Sequence, residues 1–409
     1  MYLHRNCTDL AQRYLKNFPV LCLLGPRQVG KTAFAKNLRK DWKYFDLEQP
    51  SDLALIASSP ELFFEQYSTD IVIDEAQEYP QLFKVLRGVI DANRGQKGRF
   101  ILTGSSSPDI TAHLSDSLAG RVGIIPMGGL KANELYQTAL SDFYTLFFES
   151  HTKKTIILTP PHLSNAQMRH CWLYGGYPEP LLSNDNIMYQ DWMKNYYATY
   201  INRDISTLFP KLNKIAYQRF LSILSSLSGT IINKADLSRS LEITEKSINE
   251  YLQIAQQTFL WRNIEHDAFS KIKSLVKRPK GYMIDSGLLH YLQKITNYEQ
   301  LLQHPQSGHS FESFIIEEII KGIQARGMGN VDFQYYRTAK GAEIDLIVKT
   351  PFAHVPIEIK MGKTVALKQL AALTKYIEDN ELPFGLLINQ CDHIFWLTER
   401  ILQVPISIL

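Results

Sequence analysis

Short apolar runs and stretches of helical periodicity alternate along the first third of the chain. Five of these runs have the length of a strand, and the alternation predicts a mostly parallel sheet with helices on both faces. Spaced apolar positions over Leu3–Asn17 predict a leading helix. The predicted strands are Val20–Leu24, Lys43–Leu47, Ile71–Asp74, Phe100–Thr103 and Val122–Ile125.

The pattern changes after Gly128 and again after Gly308. The first change leads into a helical segment rich in aromatic residues, among them Phe143, Tyr144 and Trp172, whose spacing favours core positions. The second leads into a compact α/β module. Its predicted elements are a helix over Phe311–Ile320, strands over Phe333–Arg337, Glu343–Lys349 and Val355–Met361, a helix over Val365–Tyr376, and strands over Phe384–Ile388 and His393–Leu397.

A glycine-rich loop of the form G-x-x-x-x-G-K-T directly follows the first predicted strand. Its glycines let the backbone amides curl inward, and the next segment opens a helix whose positive end faces the same point. The lysine supplies a mobile charge for the β- and γ-phosphates, and the threonine hydroxyl can complete the coordination of Mg²⁺. We predict that ATP is bound by Gly25, Pro26, Arg27, Gln28, Val29, Gly30, Lys31 and Thr32.

Two adjacent carboxylates end the third predicted strand. Asp74 is expected to hold Mg²⁺, and Glu75 is expected to orient and deprotonate the attacking water. An Asp-Glu pair alone also occurs at solvated strand ends, so the phosphate-binding loop carries the interpretation. The fourth strand ends in hydroxyl residues, and Thr103 is predicted to sense the γ-phosphate.

Arg121 precedes the fifth predicted strand and has two interpretations. Its guanidinium can act as an arginine finger on the ATP of its own or a neighbouring subunit, stabilising charge on the transferring phosphoryl group. Alternatively, it forms a structural salt bridge.

Residues from Tyr217 to about Leu292 have the length and pattern of a winged helix. Two helices, Ala235–Leu241 and Thr244–Leu252, flank a tight turn, as in a helix-turn-helix. The early part of the second helix is where such a motif meets bases and phosphates, and it holds Lys246, Ser247 and Asn249.

A run of basic residues without an acid follows the second helix. In a wing hairpin these charges would lie against DNA phosphates. The alternative is a solvated hairpin in a domain used for subunit contacts. The run contains Lys271, Lys273, Lys277, Arg278 and Lys280.

Acidic and basic side chains recur at every second position on two strands of the C-terminal module. Asp345 lies on one strand, and Glu358 and Lys360 lie on the next, while Ile344, Leu346, Ile357 and Ile359 are expected to face a core. With Glu312 from the preceding helix, the carboxylates are predicted to converge on Mg²⁺ or Mn²⁺. Lys360 is then placed to position or deprotonate a water that attacks a phosphodiester.

Composition limits the remaining choices. The chain has 409 residues, enough for several domains, and 45% of them are hydrophobic. No apolar run reaches the ~18–20 residues that span a bilayer and the first residues lack a signal sequence, so we expect a cytoplasmic protein without a membrane partner. The net charge of +3 neither requires nor excludes nucleic acid. The four cysteines and the histidines lack zinc-ligand spacing.

These motifs resemble those of prokaryotic AAA-type P-loop ATPases with a C-terminal domain of unknown function that looks like a restriction endonuclease. The resemblance covers nearly the whole chain. It implies ATP binding at the first group of motifs, a winged helix in the middle, and a PD-(D/E)xK nuclease-like core at Asp345, Glu358 and Lys360. Further segments that carry it are Leu102–Ser105, Leu118–Arg121, Gly175–Glu179, Arg203–Asp204 and Met283–Leu288.

The sequence therefore predicts an α/β protein with a P-loop ATPase core over residues 1–128, a helical lid over 129–212, a winged helix over 213–300 and a nuclease-like α/β domain over 301–409. The expected function is an ATP-controlled, metal-dependent DNA nuclease, and homo-oligomerisation is compatible with the sequence. The alternative is an ATP-switched DNA- or protein-binding regulator whose nuclease-like domain is inert.

Overall fold

The computed structural model describes residues 2–105, 116–267, 278–327, 329–338 and 341–409, with the backbone alone at 201–204, 206 and 207. The chain forms two compact units. Residues up to Leu130, with Tyr177–Glu179 and Gln257–Phe259, make the first, and the other residues make the second. In the described part of the chain, none of the helices combines the length and the apolar character needed to cross a bilayer.

The first unit is built on a five-stranded parallel sheet with the order β2-β3-β4-β1-β5. This confirms the predicted parallel sheet and its five strands. The strands are β1 Val20–Gly25, β2 Lys43–Asp46, β3 Ile71–Asp74, β4 Phe100–Ser105 and β5 Val122–Pro126. The helices are α1 Thr8–Asn17, α2 Lys31–Leu38, α3 Pro50–Ser58, α4 Pro60–Gln66 and α5 Leu82–Ala92.

Both faces of this sheet are buried, as the continuous apolar runs predict. Along β1, Val20, Cys22 and Leu24 belong to one core cluster. The alternate residues Leu21 and Leu23 belong to another, which includes residues of α1 and α2. Since every residue of β1 is buried, the loop that follows this strand starts from a rigid base.

The second unit begins with a helical segment. Its aromatic residues Phe143, Tyr144 and Trp172 are fully buried and share one core with the C-terminal helix and sheet, which confirms the expected core positions. The helices are α6 Ala132–Leu135, α7 Asn165–Tyr174, α8 Pro178–Ser183, α9 Asn186–Tyr196, the π-helix Tyr197–Asp204 and α10 Ile205–Leu208. The first two residues of α8, Pro178 and Glu179, belong to the first unit.

Local chemistry sets the limits of α7. Ser164 and Gln167 form a reciprocal capping box at its start, with the Ser164 hydroxyl accepting from the Gln167 amide at 3.2 Å. Gly175 ends the helix with φ +77°, where a Cβ would lie 2.4 Å from Asp285 Oδ1. Asp285 also accepts a hydrogen bond of 2.8 Å from the Gly176 amide, so only glycine fits this turn.

A helix-strand-helix-helix-hairpin arrangement follows. Strand β8 lies between β6 and β7, antiparallel to both. Thr244 accepts a hydrogen bond of 3.1 Å from the Ser247 amide and so caps the start of the helix that begins at Glu245. The elements are α11 Lys214–Ser226, β6 Thr230–Ile231, α12 Lys234–Leu241, α13 Glu245–Gln257, β7 Trp261–His266, β8 Lys280–Met283, α14 Ser286–Leu292 and α15 Tyr298–Gln303.

The C-terminal residues extend the same sheet to nine strands, with the order β13-β14-β12-β11-β10-β9-β7-β8-β6. Strand β7 pairs in parallel with β9, so residues predicted as two domains, 213–300 and 301–409, share one sheet. The C-terminal elements are α16 Ser307–Arg326, β9 Asp332–Arg337, β10 Glu343–Lys349, β11 His354–Lys360, α17 Ala371–Asp379, β12 Gly385–Asn389, β13 Phe395–Trp396 and β14 Ile401–Pro405.

Strands β9, β10 and β11 are antiparallel neighbours, and β12 runs parallel to β11. Apolar residues of α16 pack on one side of this sheet. Those of α17, including Leu373 and Tyr376, pack in a separate cluster. The core therefore fixes β10 and β11, which carry the predicted acidic residues.

Candidate nucleotide-binding site and C-terminal carboxylate cluster

The glycine-rich loop joins β1 to α2 in a conformation that its sequence permits. Gln28 and Gly30 have φ of 65° and 90°, which falls in the left-handed region. A Cβ at Gly25 would lie 2.0 Å from the Met127 carbonyl oxygen, so this position has room for glycine alone. The two glycines are thus required for different reasons, one for backbone conformation and one for close packing.

Lys31 opens α2 and folds back over the loop. Its Nζ donates to the carbonyl oxygens of Gly25 and Pro26 at 3.0 and 2.9 Å. Burial lowers the pKa of this ammonium, and the carboxylates of Glu75 and Asp74 oppose the shift. The charge therefore lies at the centre of the loop, as a phosphate-binding lysine requires.

Thr32 and Asp74 supply adjacent oxygen atoms. The Thr32 hydroxyl donates to Asp74 Oδ2 at 2.8 Å, and the Tyr44 hydroxyl donates to the same oxygen at 2.5 Å. A hydroxyl beside a carboxylate is a hard-oxygen donor set that suits Mg²⁺. The residues present thus fit the predicted ion.

Glu75 follows Asp74 in a left-handed conformation with φ 51°. Its Oε2 accepts hydrogen bonds from Gln77 Nε2 at 2.6 Å and from the Ser105 amide at 3.1 Å. Burial acts to raise the pKa of Glu75, but the Lys31 charge and these hydrogen bonds outweigh it and lower the pKa. The carboxylate is therefore ionised and held in one orientation.

Thr103 lies beside Asp74 and Glu75 and is not among the residues that line the cavity described below. It is fully buried between the strands, because β4 lies between β3 and β1. Its hydroxyl donates to Asp74 Oδ1 and accepts from the Glu75 amide, the latter at 3.1 Å. Thr103 thus orients the two carboxylates, and its role in sensing the γ-phosphate stays a prediction.

A cavity of ≈ 470 Å³ brings these groups together. Of the predicted residues, it is lined by Arg27, Gln28, Gly30, Lys31, Thr32, Asp74 and Glu75. The sequence prediction missed other lining residues, which are Ala33, Tyr44, Asp46, Glu48, Pro178 and Glu179. Tyr44, Asp46 and Glu48 lie at or just after the carboxyl end of β2, the sheet edge where ligands bind in such folds, so strand order would have indicated them.

Two arginines make structural contacts around the glycine-rich loop and at the edge of the sheet. Arg5 is buried, and its guanidinium donates to the carbonyl oxygens of Val29 at 2.9 Å and Gly128 at 2.8 Å. Arg121 forms a two-pronged salt bridge with Asp91, with both N–O distances at 2.8 Å. The structure therefore contains the salt bridge that was the alternative to an arginine finger.

The C-terminal module brings Asp345, Glu358 and Lys360 together. Lys360 Nζ lies 2.5 Å from Glu358 Oε1 and 4.0 Å from Asp345 Oδ2. Asp345 Oδ2 also accepts from the Ile359 amide at 2.8 Å. Burial raises the pKa of both carboxyl groups, and further negative charge from Glu312 on Asp345, and from Asp345 on Glu358, adds to the increase.

The strand geometry differs from simple alternation. A bulge between Ile344 and Ile347 shifts the register of β10 against β9. Ile344 consequently packs in the core cluster of α17, whereas Leu346 packs in that of α16. The prediction that these residues face a core is confirmed, but the two lie in different clusters, because a bulge adds a residue and changes the direction of the side chains beside it.

Glu312 belongs to a different set of contacts. Its Oε1 lies 2.7 Å from Lys280 Nζ and accepts from the Tyr282 hydroxyl at 2.5 Å. Within the described ranges, no three acidic, histidine or cysteine side chains are arranged to hold one metal ion. The predicted three-carboxylate centre is therefore not assembled, although Glu358 Oε2 is buried without a hydrogen-bond partner and leaves one oxygen for a cation.

Lys280 was predicted to contact DNA, and this prediction was wrong. Its side chain is buried and pairs with Glu312 and Glu343. Arg278 is exposed, whereas Lys271, Lys273 and Lys277 lie outside the described residues. The side chains of Arg203 and Asp204 also lie outside them.

A second cavity, of ≈ 530 Å³, lies beside α13. Asn249 lines it, while Lys246 is exposed and Ser247 is part of the helix cap. Amide side chains dominate its polar lining, which also carries two basic residues and one acid. These polar residues are Asn233, Lys234, Glu245, Asn249, Gln253, Gln256, Asn263 and Arg278.

Comparisons with known families divide the chain into three parts. Residues 17–136 match the AAA domain family, and residues 165–299 and 307–409 match two domains of unknown function, DUF8612 and DUF4143. Two relatives, uncharacterized proteins of Mycobacterium bovis and Mycobacterium tuberculosis, are each 29% identical over 404 residues, covering 98% of this chain and 83% of each relative.

Solved structures resemble the chain in part. A Walker-type ATPase of Pyrococcus abyssi has a TM-score of 0.41 at 14% identity, covering 70% of this chain and 94% of that one. A RuvB variant of Thermotoga maritima has a TM-score of 0.29 at 16% identity, covering 64% and 89%. A signal transduction ATPase with a tetratricopeptide repeat sensor from Pyrococcus horikoshii has a TM-score of 0.29 at 13% identity, covering 78% and 48%.

The family match and the loop geometry agree on the same residues. Residues 17–136, which match the AAA domain family, contain the glycine-rich loop from Gly25 to Thr32, and they precede two regions that match domains of unknown function.

Proposed function

We propose that the chain hydrolyses ATP in a Mg²⁺-dependent reaction at the cavity beside Lys31. The observation that carries this proposal is that Lys31, Thr32, Asp74 and Glu75 line one cavity, in which the Thr32 hydroxyl contacts the Asp74 carboxylate. In this cavity Lys31 can bind phosphate, Thr32 and Asp74 can hold the metal ion, and Glu75 can orient water.

Each residue has a distinct role in the proposed reaction. The loop amides and Lys31 bind the β- and γ-phosphates, with Lys31 exchanging its carbonyl partners for phosphate oxygens. Thr32 and Asp74 would hold Mg²⁺, which when bound neutralises charge on the phosphates. Glu75 orients the attacking water and accepts its proton, while the γ-phosphoryl group leaves ADP.

Equilibrium binding of Mg²⁺-ATP tests this site. Lys31→Ala should weaken binding about 10–100-fold, the loss of a charged hydrogen bond worth roughly 1.5–3 kcal/mol. Lys40→Ala is the matched control, since Lys40 is an exposed residue that does not line the cavity. Equal affinities for the two variants would contradict the proposed phosphate site.

A second proposed function is binding of DNA at the amide-lined cavity beside α13. The segment that contains this helix would then act as a winged helix. Asparagine and glutamine side chains can pair with adenine edges, and Lys234 and Arg278 can contact phosphates. The alternative is that this segment makes subunit contacts.

Fluorescence anisotropy with a labelled 20-base-pair duplex tests the DNA proposal across a range of salt concentrations. Lys234→Ala should reduce the slope of log affinity against log salt by about 0.9. Lys214→Ala removes the same charge from an exposed position that does not line this cavity, and it should leave the slope unchanged. Identical slopes for both variants would refute the proposed contact.

For the C-terminal module we propose metal-dependent cleavage of a phosphodiester, controlled by ATP. Asp345 and Glu358 would hold the ion, which polarises the phosphodiester when bound. Lys360 would position the attacking water. The partnerless Glu358 Oε2 supports this assignment, whereas the Lys360–Glu358 ion pair favours the alternative of an inert module that binds a partner.

Incubation of supercoiled DNA with Mn²⁺, with and without ATP, separates these alternatives. The nuclease proposal predicts nicking or linearisation by the parent protein and none by Asp345→Asn. Intact DNA under both conditions would favour the inert alternative.

A further inference from the structure

Lys280 reaches the C-terminal carboxylates from strand β8, outside the region that matches DUF4143. Its side chain is 4% exposed. The ammonium lies 2.7 Å from Glu312 Oε1 and 2.5 Å from Glu343 Oε1, so it bridges α16 and β10. A single lysine thus neutralises carboxylates that come from two other elements.

Neighbouring groups hold these partners in place. The Tyr282 hydroxyl donates to the same oxygen of Glu312 at 2.5 Å, and Tyr282 is fully buried. Glu343 has a second partner in Arg337, at 3.2 Å. Separating a buried ion pair such as Lys280–Glu312 is costly, because each group would lose an opposite charge in a poorly solvated site.

We propose that Lys280 is a built-in counter-ion that withholds Glu312 and Glu343 from divalent metals, leaving Asp345 and Glu358 as the carboxylates that bind the ion. This inference rests on the proposed function of Asp345 and Glu358. Lys280, which lies on β8, would then determine how many carboxylates in the C-terminal site are available to bind a metal ion. A divalent cation beside Glu312 would meet both an occupied oxygen and a repelling ammonium.

According to this proposal, Glu312 does not contribute to metal affinity while Lys280 is present. Titration calorimetry of the full chain with Mn²⁺ and no nucleotide measures this, and heat that disappears in Asp345→Asn is assigned to the C-terminal site. Glu312→Gln keeps the oxygen that Lys280 and Tyr282 contact, so the protein should remain folded. Its Mn²⁺ affinity should match that of the parent within a factor of about two, and a tenfold loss would overturn the proposal.

Removal of the counter-ion gives the opposite result. Lys280→Met should raise Mn²⁺ affinity about tenfold or more, because the number of charged ligands sets cation affinity. Adding Glu312→Gln to this variant should reverse the gain. An unchanged or weaker affinity in Lys280→Met, or a gain that persists without Glu312, would refute the role of Lys280.

Different results would refute the proposed metal site at Asp345 and Glu358 and the proposed counter-ion role of Lys280. If the parent binds no Mn²⁺ but Lys280→Met does so through Glu312, the counter-ion role is supported and the native metal site is refuted. If no variant binds Mn²⁺, both are refuted.

Discussion

Replacement of Glu75 by glutamine separates nucleotide binding from hydrolysis. Glutamine has the same size, and its amide oxygen can accept the two hydrogen bonds that Gln77 and the Ser105 amide donate to Glu75 Oε2 at 2.6 and 3.1 Å. The cavity and the position of Asp74 should therefore be preserved. What glutamine lacks is the ability to accept a proton from water.

The expected loss is that of a general base. Such a group contributes about 10²–10⁴ in rate, which corresponds to roughly 2.7–5.5 kcal/mol in the activation free energy. The Kd for Mg²⁺-ATP should stay equal to that of the parent or fall slightly, because one negative charge near the phosphates is gone. The effect should thus appear in kcat.

Glu48→Gln is the matched control. Glu48 lines the same cavity, but its carboxylate pairs with Arg27 at 2.8 Å and its side chain is 47% exposed. Steady-state phosphate release and ATP titration should be measured for both variants. The reasoning is refuted if Glu75→Gln turns over as fast as the parent, or if Glu48→Gln is slowed to the same degree.

Other predictions test the surrounding contacts. Thr103→Ala removes a fully buried hydroxyl between Asp74 and Glu75, so it should cost roughly 1–3 kcal/mol in urea unfolding and lower kcat more than ATP affinity. Burial lowers the pKa of His290 from 6.5 to about 4, so the unfolded chain binds more protons than the folded chain between these pH values. The unfolding free energy should therefore fall by about 3 kcal/mol as the pH drops from 6.5 to 4. His290→Asn should make the unfolding free energy less dependent on pH over this range. Arg121→Ala should leave turnover unchanged if the salt bridge with Asp91 is its only role, whereas a loss of more than tenfold would indicate an arginine finger. If the basic run contacts DNA, removal of each charge should reduce the slope of log affinity against log salt concentration by about 0.9 in an anisotropy titration. The residues to replace by alanine are Lys271, Lys273, Lys277 and Arg278.

The features that the sequence predicted correctly depend on local pattern. The five strands of the first unit are continuous apolar runs, and the loop from Gly25 to Thr32 has its conformation fixed by its own glycines. The carboxyl-edge rule then places Asp74 and Glu75 near Lys31 without any knowledge of distant contacts. Features of this kind can be predicted from one sequence, because they depend on residues that are close together along the chain.

The features that it missed depend on pairing between distant segments. The contacts of Thr103 with Asp74 and Glu75 form because β4 lies beside β3, and strand order is not a property of any single strand. Lys280 sits in a basic run that predicts exposure, yet the pairing of β7 with β9 brings β8 close to α16. Strand β14, over Ile401–Pro405, was also missed, and only its parallel pairing with β12 makes it part of the sheet.

The most direct test of the account is phosphate release from ATP by the purified chain. We expect release that requires Mg²⁺, stops with excess EDTA, and is lost in Lys31→Ala while Lys40→Ala retains it. Absence of release from the parent protein in Mg²⁺, or equal release from the parent and Lys31→Ala, would contradict the claim that Lys31, Thr32, Asp74 and Glu75 form an ATP-hydrolysing site.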